Sequence, residues 1–478
     1  MKSSKNFYII FFSVTVVLLF SKLSITADYG NFYGFDFDVK SQAVYLVNED
    51  TGKLIYAKNE NVKIPAGALV KLMSVILILD SVDSKNMDEF LNLKITAKGE
   101  IFDRLYGTNS SNADIRKGEE VLVKDLLYAS VIASASEATM MLVNFMIENN
   151  PAIFGENIDE FVEKMQKKAD DLGLTNTQFT DPDGLDTSIS QHMSARDVYV
   201  LTNYCMRNPI FKKIATTSVY SMAPTNLHQN SRTIIHSNYM TNVGVGGKRY
   251  FDKRVSGLKT GAFFDDEGNN FYNLVSLASD ENFTYTLVTL GSLKTREENV
   301  AFVDSNHFYD FVFKNLSCVT LAVPFEKVIP SNVKVKLGKG TDNLVLTTKK
   351  QVVVIWPKNV DVSSVFFDTS NLPPDVFAPV KKGQVIGKVN LKLAGQVLAT
   401  VDAVAGQDVE LDLIAFLCVC VAKFFKYLWL IVILVLVLIL ILWFVTRKRL
   451  SNLNRINRQI KFKRRGKNYP KFNDRWFS

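Results

Sequence analysis

The strongest constraint on how this chain can fold is an uninterrupted apolar run from Tyr427 to Val445. At about 1.5 Å per residue, a helix of this length crosses the hydrocarbon core of a bilayer. Trp429 and Trp443 lie near its two ends, where aromatic rings favour the membrane–water interface. A buried core helix is the alternative, but core helices of soluble proteins rarely run this far without a charge. The run predicts one transmembrane helix over residues 427–445.

Basic residues crowd the chain directly after this run and account for much of its formal net charge of +8. They are Arg447, Lys448, Arg449, Arg455, Arg458, Lys461, Lys463, Arg464, Arg465 and Lys467. By the positive-inside rule such a cluster stays in the cytoplasm, so residues 446–478 are predicted to form a cytoplasmic tail. We expect this tail to contact anionic lipid headgroups and not nucleic acid.

The N-terminus has the order of a secretory signal peptide. Lys2 and Lys5 precede an apolar core from Phe7 to Phe20, and small residues from Ser24 to Ala27 follow. We predict a signal peptide over residues 1–27, with an uncleaved anchor helix as the alternative. Either way the chain that follows is exported. The predicted location is the cell membrane, with a single span and a large extracytoplasmic part.

Composition excludes several classes of protein. The 478 residues are 47% hydrophobic and 22% charged, which is enough to bury large cores in two or three domains. The chain has four cysteines and four histidines, and none has the spacing of zinc ligands. We therefore expect neither a disulfide framework nor a metal site, and no cofactor is implied.

Residues 28–316 mix strand-like and helical stretches. Ala43–Val47 and Leu54–Ala57 alternate around a polar turn and predict a β-hairpin. The apolar run Leu69–Leu79 predicts a buried helix, and Val123–Ile147 predicts a further helix or a pair. The stretch is typical of an α/β domain.

Residues 319–410 change to short strands separated by turn residues. Val333–Leu337 ends before a glycine, and Val385–Val389 contains one. Polar and apolar residues alternate in these strands, as expected where one face of a sheet meets water. The pattern predicts a small all-β domain, a β-sandwich, between the α/β domain and the membrane span.

The run from Pro65 to Met73 places Ala68 three residues before Lys71, so both side chains share one face of a helix. The run resembles the P-A-S-x-T-K-x-M stretch of the D-alanyl-D-alanine carboxypeptidases, the low-molecular-weight penicillin-binding proteins. The resemblance implies that Ala68 stands where the family has its serine nucleophile and that Lys71 is the activating lysine. Pro65 lies one residue further upstream than in the family, and Val70 replaces a threonine. Without the resemblance, Lys71 is an ordinary helix lysine among apolar neighbours.

A second stretch, Leu126–Ala138, resembles the family's L-L-Y…S-x-N-[DE]-A segment. The resemblance implies that Ser134 relays protons between nucleophile, lysine and leaving group. Ser136 replaces the asparagine that usually holds the substrate and the lysine. Serine is shorter and offers a hydroxyl in place of an amide. Taken alone, two serines in a helical pattern would be packing residues.

A third stretch, Val255–Gly261, resembles V-x-G-[LI]-K-T-G. The resemblance implies that Lys259 and Thr260 bind the terminal carboxylate of a peptide. It also implies that Gly261 allows close approach of the backbone. A solvated edge strand is the plainer alternative. The chain departs from the family directly afterwards, where Ala262-Phe263 replaces [YH]-T.

Four further stretches resemble the family where no catalytic role is implied: Leu172–Phe179, Pro182–Leu185, Met193–Asp197 and Ala378–Gly387. The resemblance thus extends from about Tyr29 to Glu410. It implies a penicillin-binding, β-lactamase-like transpeptidase domain, an antiparallel sheet with helices, followed by the β-rich domain. The implied partner is a peptidoglycan stem peptide or a β-lactam.

Three hypotheses follow for function. The first is a catalytically impaired relative that still binds cell-wall peptide. The second is an active serine-type carboxypeptidase with a substitute nucleophile. Ser134 is the best candidate because it should face Lys71 and Lys259, whereas Ser74 should point elsewhere. The third is a structural envelope scaffold in which the old cleft is a relic. The sequence leaves the oligomeric state open.

Overall fold

The computed structural model describes residues 33–465 except 109, 327 and 394. The predicted signal peptide, residues 1–27, and the end of the basic tail, residues 466–478, lie outside the described residues. The described chain forms two compact units that divide between Val319 and Thr320, with Ile355–Val360 returning to the first unit.

The first unit is built on an antiparallel sheet. Its strands, numbered along the chain, are β1 (Ala43–Asn48), β2 (Lys53–Lys58), β3 (Ile64–Pro65), β4 (Lys94–Thr96), β5 (Glu120–Leu122), β6 (His192–Met193), β7 (Val219–Met222), β8 (Arg232–Ile235), β9 (Val255–Phe264), β10 (Asn270–Ser279) and β11 (Thr284–Leu293). The main sheet has the order β2-β1-β11-β10-β9. The short strands pair separately as β3 with β6, β4 with β5 and β7 with β8.

Helices surround this sheet. They are α1 (Lys71–Asp80), α2 (Met87–Leu91), α3 (Gly99–Leu105), α4 (Val123–Val131), α5 (Ser136–Asn149), α6 (Pro151–Phe154), α7 (Ile158–Asp171), α8 (Ala195–Met206), α9 (Pro209–Ala215), α10 (Val243–Tyr250) and α11 (Val300–Asn315). Short 3₁₀ turns cover Gly67–Val70, Ser84–Asn86 and Tyr239–Thr241.

The sheet separates two hydrophobic cores because successive side chains of a strand point to opposite faces. Val275 and Val288 belong to a core shared with α8 and with the buried helices α1, α4 and α5. Their neighbours Leu274 and Leu287 belong to a second core shared with α11. The fold is therefore helix on sheet on helix, and α1 is a buried helix of the layer that contains α4, α5 and α8.

Most predicted elements of this unit are confirmed. The predicted hairpin is β1 paired with β2. The predicted helix Leu69–Leu79 begins as the 3₁₀ turn Gly67–Val70 and continues as α1. The stretch Val123–Ile147 forms a pair of helices, α4 and α5. The chain breaks between them at Ser134, whose φ of 64° is incompatible with a continuing α-helix.

The second unit confirms the predicted all-β domain. The strands from the boundary onward are β12 (Leu316–Ala322), β13 (Val328–Ile329), β14 (Lys334–Lys336), β15 (Leu346–Thr348), β16 (Val352–Pro357), β17 (Phe366–Asp368), β18 (Asp375–Phe377), β19 (Val385–Leu393) and β20 (Gln396–Ala405). One sheet has the order β13-β15-β20-β19-β17, and β14 pairs in parallel with β18. Val335, Leu346 and Val389 contribute to a separate apolar core.

One long helix, α12 (Leu413–Arg465), follows the β-rich domain. Asp412 caps it, since its Oδ1 accepts hydrogen bonds from Ile414 N at 2.9 Å and from Ala415 N at 3.0 Å. The helix includes the predicted span 427–445 and begins fourteen residues earlier. The stretch Leu413–Lys461 is long and apolar enough to cross a membrane.

Candidate active site

A cavity of about 1110 Å³ opens in the first unit at the start of α1. Its lining brings together six of the seven residues that the sequence motifs single out: Ala68, Lys71, Ser134, Ser136, Thr260 and Gly261. The seventh, Lys259, lies directly behind Ser134. Three separate chain segments, two helix starts and one strand, thus meet at one cleft.

Lys71 lies on the first turn of α1 and is only 2% exposed. Its Nζ donates to Ser136 Oγ at 3.2 Å and to the main-chain carbonyl of Asp183. Burial lowers the pKa of Lys71, because the charged form loses its hydration. The carboxylates of Asp183, Asp181 and Glu137 oppose this shift. Ser136, despite its short side chain, keeps a contact with the lysine.

Ser134 projects into the cleft from the break between α4 and α5. Its left-handed backbone turns the hydroxyl toward Lys259, whose Nζ donates to Ser134 Oγ at 2.6 Å and to Thr260 O at 2.8 Å. Lys259 is fully buried on β9. Burial and the nearby charge of Lys71 set the pKa of Lys259 well below its usual range.

Ser74, the poorer candidate for a substitute nucleophile, is fully buried further along α1. Its Oγ donates to Pro182 O at 2.6 Å and lies 3.7 Å from Met165 Sδ. It does not line the cleft. The hydroxyl therefore faces a different environment from that of Ala68 and Ser134.

Thr260 points into the cleft from the adjacent position on β9. Its Oγ1 lies 2.6 Å from Ser237 Oγ, and Tyr272 donates its hydroxyl to Ser237 O at 3.2 Å. The motifs did not indicate Ser237 or Tyr272, since neither belongs to a matched segment with an implied polar role. Together these groups line the β9 side of the cleft with hydroxyls.

Glycines allow the cleft walls to approach closely. A Cβ on Gly261 would lie 2.8 Å from Ala66 O and 3.3 Å from Ala68 N. A Cβ on Gly184 would lie 2.5 Å from Gly67 O. Real Cβ atoms do not approach a carbonyl oxygen this closely, so these segments pack around position 68 only as glycines.

A buried ion pair holds the segment whose main-chain carbonyl accepts a hydrogen bond from Lys71. Arg104 on α3 forms two hydrogen bonds with the fully buried Asp183 carboxylate, at 2.9 and 2.8 Å. The carbonyl of the same Asp183 accepts from Lys71. The stretch Pro182–Leu185 was expected to have no catalytic role, yet it contacts the lysine directly. Nothing in the sequence pattern indicated Arg104.

In the described structure the charged side chains that line the cleft are three cations, Lys71, Arg232 and Lys294, and one carboxylate, Asp114. Lys294 lines it, and its Nζ lies 5.4 Å from the centre of the Tyr272 ring. Among the described residues no carboxylate lies within 4 Å of Lys71, Lys259 or Lys294. At the opposite end Arg232 pairs with the buried Glu119, Nη2 to Oε1, at 2.5 Å. The site is therefore suited to an anionic ligand.

His236 lines the cleft and is buried. Burial and the charge of Lys259 lower its pKa to about 3, so the imidazole is neutral at physiological pH. Its Nδ1 accepts a hydrogen bond from Asn238 N at 2.9 Å. Within the described part of the chain, no three His, Cys, Asp or Glu side chains group as metal ligands.

The fold and the site define a class of protein. A helix start with a lysine, a serine at a helix break and a Lys-Thr-Gly strand meet at one cleft beside an antiparallel sheet. These are the three motifs in which the chain resembles the penicillin-binding proteins. Residues 32–294 match the family described as D-alanyl-D-alanine carboxypeptidase, and residues 326–411 match the C-terminal domain of penicillin-binding protein 5. The chain belongs to the D-alanyl-D-alanine carboxypeptidase family.

Individual relatives cover most of the chain. It is 26% identical over 372 residues to the D-alanyl-D-alanine carboxypeptidase DacF of Bacillus subtilis, covering 78% of this chain and 86% of that protein. It is 24% identical to the D-alanyl-D-alanine carboxypeptidase DacC of Escherichia coli, covering 78% and 85%. The crystal structure of penicillin binding protein 5 from Haemophilus influenzae superposes with a TM-score of 0.56 at 24% identity. It covers 78% of this chain and 99% of that one, and establishes the fold.

Proposed function

We propose that this protein is a membrane-anchored, catalytically impaired member of the family that binds the carboxyl end of peptidoglycan stem peptides. The observation that carries the proposal is Ala68. The family resemblance puts the nucleophile at this position, which lies in the 3₁₀ turn before α1 and lines the cleft together with five other motif residues. A methyl group cannot attack a carbonyl, so the route through an acyl-enzyme on this residue is absent.

Ligand binding does not need the missing oxygen. Lys259 and Thr260 on β9 are the residues proposed to hold a peptide carboxylate, and Lys294 adds a third charged or polar group on the same side. In the described structure Lys294 lines the cleft with no carboxylate oxygen within 4 Å, so an entering carboxylate would supply its partner, and the positive charge of Lys259 behind Ser134 would add to the attraction. Such a site retains substrate affinity while turnover is lost.

The anchor is α12, which we propose crosses the membrane over residues 427–445, with the cleft outside and the basic tail inside. Its apolar run is followed directly by Arg447, Lys448 and Arg449. This arrangement would hold a peptide-binding cleft at the outer face of the membrane, where the cell-wall peptide is found.

Intact mass spectrometry with penicillin tests the central claim. The natural protein is expected to form no adduct. Ala68→Ser is expected to add the mass of one penicillin, because the lysine and the serine relay are already in place. In parallel, titration with a peptide ending in D-Ala-D-Ala should show binding by the natural protein. Absence of both peptide binding and an Ala68→Ser adduct would leave the structural-scaffold hypothesis instead.

A second candidate function is residual carboxypeptidase activity with Ser134 as nucleophile. The observation that favours it is the 2.6 Å hydrogen bond between Lys259 Nζ and Ser134 Oγ. The lowered pKa of Lys259 makes its neutral form more accessible, and a neutral amine can accept the serine proton as the Oγ–acyl bond forms. The amide nitrogen of the substrate would leave with a proton.

The same mass measurement separates the two candidates. A stable penicillin adduct on the natural protein, mapped to the peptide containing Ser134 and lost in Ser134→Ala, would favour the second. Ser74→Ala serves as the control, because Ser74 is buried away from the cleft. An unmodified natural protein favours the impaired relative.

A further inference from the structure

The part of α12 that follows the apolar run is a basic helix with an apolar row along one side. Residues 447–461 contain six lysines and arginines and no acidic residue. Leu450, Leu453, Ile456 and Ile460 are spaced by three, three and four positions, so they share one face of the helix. These four residues are between 48% and 60% exposed. Four large aliphatic side chains in a row, facing nothing in the described structure, need an apolar environment.

We propose that this segment, residues 447–461, is an interfacial helix that lies on an anionic membrane surface. The apolar row enters the acyl boundary, and the basic face contacts the phosphate groups of acidic lipids. The inference rests on the proposed membrane span, which delivers the segment to the headgroups. An apolar stripe under a strongly basic face is the pattern of helices that lie in the plane of a membrane. Each lysine or arginine near an anionic leaflet strengthens the attachment.

Charge and exposure argue against a second copy of the chain or a nucleic acid as the partner of this helix. A second copy packed along the same row would bring two strongly basic helices together, and neither segment has an acidic residue to offset the repulsion. A nucleic acid would neutralise the basic face but would leave the apolar row exposed to water. A membrane with acidic lipids satisfies both faces at once.

α12 is one continuous helix from Leu413 to Arg465 in the structure, so the proposal requires that it bend where it leaves the membrane, and we place this bend at Thr446. Its Oγ1 lies 2.9 Å from the carbonyl oxygens of both Leu442 and Trp443. A hydroxyl that bonds back to the preceding turn weakens the helical ladder and favours bending. The Arg447 guanidinium lies 4.9 Å from the centre of the Trp443 ring. This cation–π pair suits the level of the headgroups.

Hydrogen–deuterium exchange of the full-length protein in lipid nanodiscs tests the inference. One protein copy is placed in each disc, so that self-association is impossible. The discs contain either phosphatidylcholine alone or phosphatidylcholine with phosphatidylglycerol. Amides of residues 447–461 should exchange at least about tenfold more slowly in the anionic discs, because the docked helix is shielded and held in place.

Matched variants separate insertion of the apolar row from simple charge attraction. Leu453→Asp with Ile456→Asp places two carboxylates in the row. Ser451→Asp with Asn454→Asp adds the same charge at the same three-residue spacing outside the apolar row, with Ser451 opposite the row and Asn454 at its edge. The first pair should abolish the protection, whereas the second pair should keep most of it.

Three results would overturn the inference. Equal exchange in the two kinds of disc would mean that acidic lipid is not the occupant. Equal losses in the two pairs of variants would mean that the apolar row does not enter the membrane. Protection that appears only with two copies per disc, or only after adding RNA, would assign the face to self-association or to nucleic acid. The penicillin adduct of Ala68→Ser, measured on the same preparations, reports separately on the proposed cleft function.

Discussion

Lys71 and Lys259 are buried lysines whose Nζ atoms hydrogen-bond to hydroxyl and main-chain carbonyl oxygens in the described structure. Burial lowers the pKa of each, and the charge of Lys71 lowers that of Lys259 further. Burying a lysine is costly because the ammonium group loses its hydration, and nearby carboxylates offset part of this cost for Lys71 but not for Lys259. An anionic ligand in the cleft would offset part of this cost.

The free-energy cost of burying Lys259 should appear in the pH dependence of the protein's stability. Between its lowered folded pKa and the ordinary value of 10.5, the unfolded chain binds a proton that the folded chain does not. The unfolding free energy therefore rises with pH in this window, by at most about 1.4 kcal/mol per pH unit. Lys259→Met should lack this rise, so urea unfolding at increasing pH should show the natural protein gaining stability relative to the variant.

Lys124→Met is the control for this measurement, since Lys124 is exposed on α4. It should follow the natural protein across the pH range. Parallel curves for the natural protein and Lys259→Met would contradict the lowered pKa of Lys259.

At the scale of single residues, the sequence predicted which motif residues lie close together but not the ion pair beside Lys71. The resemblance to short family motifs singled out Ala68, Lys71 and Lys259, because each motif is a local run of residues that can be matched along the chain. Arg104 and Asp183 lie far apart in the sequence and pair only through the fold. No local spacing can indicate such a contact.

Among the elements, the break between α4 and α5 was the least predictable. The apolar pattern of Val123–Ile147 continues through residues 132–135, so periodicity alone allowed one helix or two. No glycine marks the turn, and Ser134 itself adopts a φ of 64°, which costs a non-glycine residue about 1 kcal/mol. The helix start of α1 and the hairpin of β1 and β2 were predictable because their patterns are local.

Arg104→Met should weaken the tie between α3 and the loop that holds Lys71. It leaves the fully buried Asp183 carboxylate without its partner, which costs about 3–5 kcal/mol in comparable buried pairs, less here because Arg104 is 29% exposed. We expect a clear fall in the urea midpoint. In the Ala68→Ser background we also expect slower penicillin acylation, measured by intact mass against time.

The double variant Arg104→Met with Asp183→Asn is the companion measurement. Removing the charge of Asp183 removes most of the desolvation penalty, so this variant should recover part of the stability lost in Arg104→Met. A double variant that recovers none of the stability lost in Arg104→Met would contradict the proposed coupling of the pair.

Gly261→Ala tests the close contact between β9 and the turn before α1. The added Cβ would lie 2.8 Å from Ala66 O, so the strand must move away from position 68. We expect a loss of about 1–3 kcal/mol in stability and, in the Ala68→Ser background, at least about tenfold slower acylation. Gly268→Ala is the control: its φ of 80° strains an alanine, so it can lower stability, but nothing lies within 4 Å of the added Cβ and acylation should not change. Acylation unaffected by Gly261→Ala would contradict the tight contact.

At the scale of the whole molecule, composition and residue pattern predicted the organisation of the chain better than they predicted its individual helices and strands. Near residue 319 the residue pattern changes from mixed helical and strand-like stretches to short strands. The two compact units divide at the same place. Each unit has its own apolar core, since none of the residues in the β-domain core belongs to the cores of the first unit. The return of Ile355–Val360 to the first unit was not predictable, because a short strand carries no signal of the sheet it joins.

The anchor makes a prediction for the whole chain. The full-length protein should remain with membranes through washes in high salt and in alkaline carbonate, because an apolar span resists both. A chain that ends at Asp412 lacks α12 and should be released into the aqueous fraction once its signal peptide is removed. In the Ala68→Ser background its acylation should stay within about twofold of the full-length protein, because the cleft is lined by residues between 68 and 294.

Fractionation with intact mass distinguishes the arrangements of the two ends. A soluble truncated chain that begins near Asp28 would support one C-terminal span and a cleaved signal peptide. A truncated chain that stays in the membrane with residues 1–27 still attached would support the N-terminal anchor instead. If salt alone released the full-length protein, attachment would be electrostatic, and α12 would not be a span. In that case the apolar run 427–445 would need another partner, because no apolar helix of that length is stable in water with all its faces exposed.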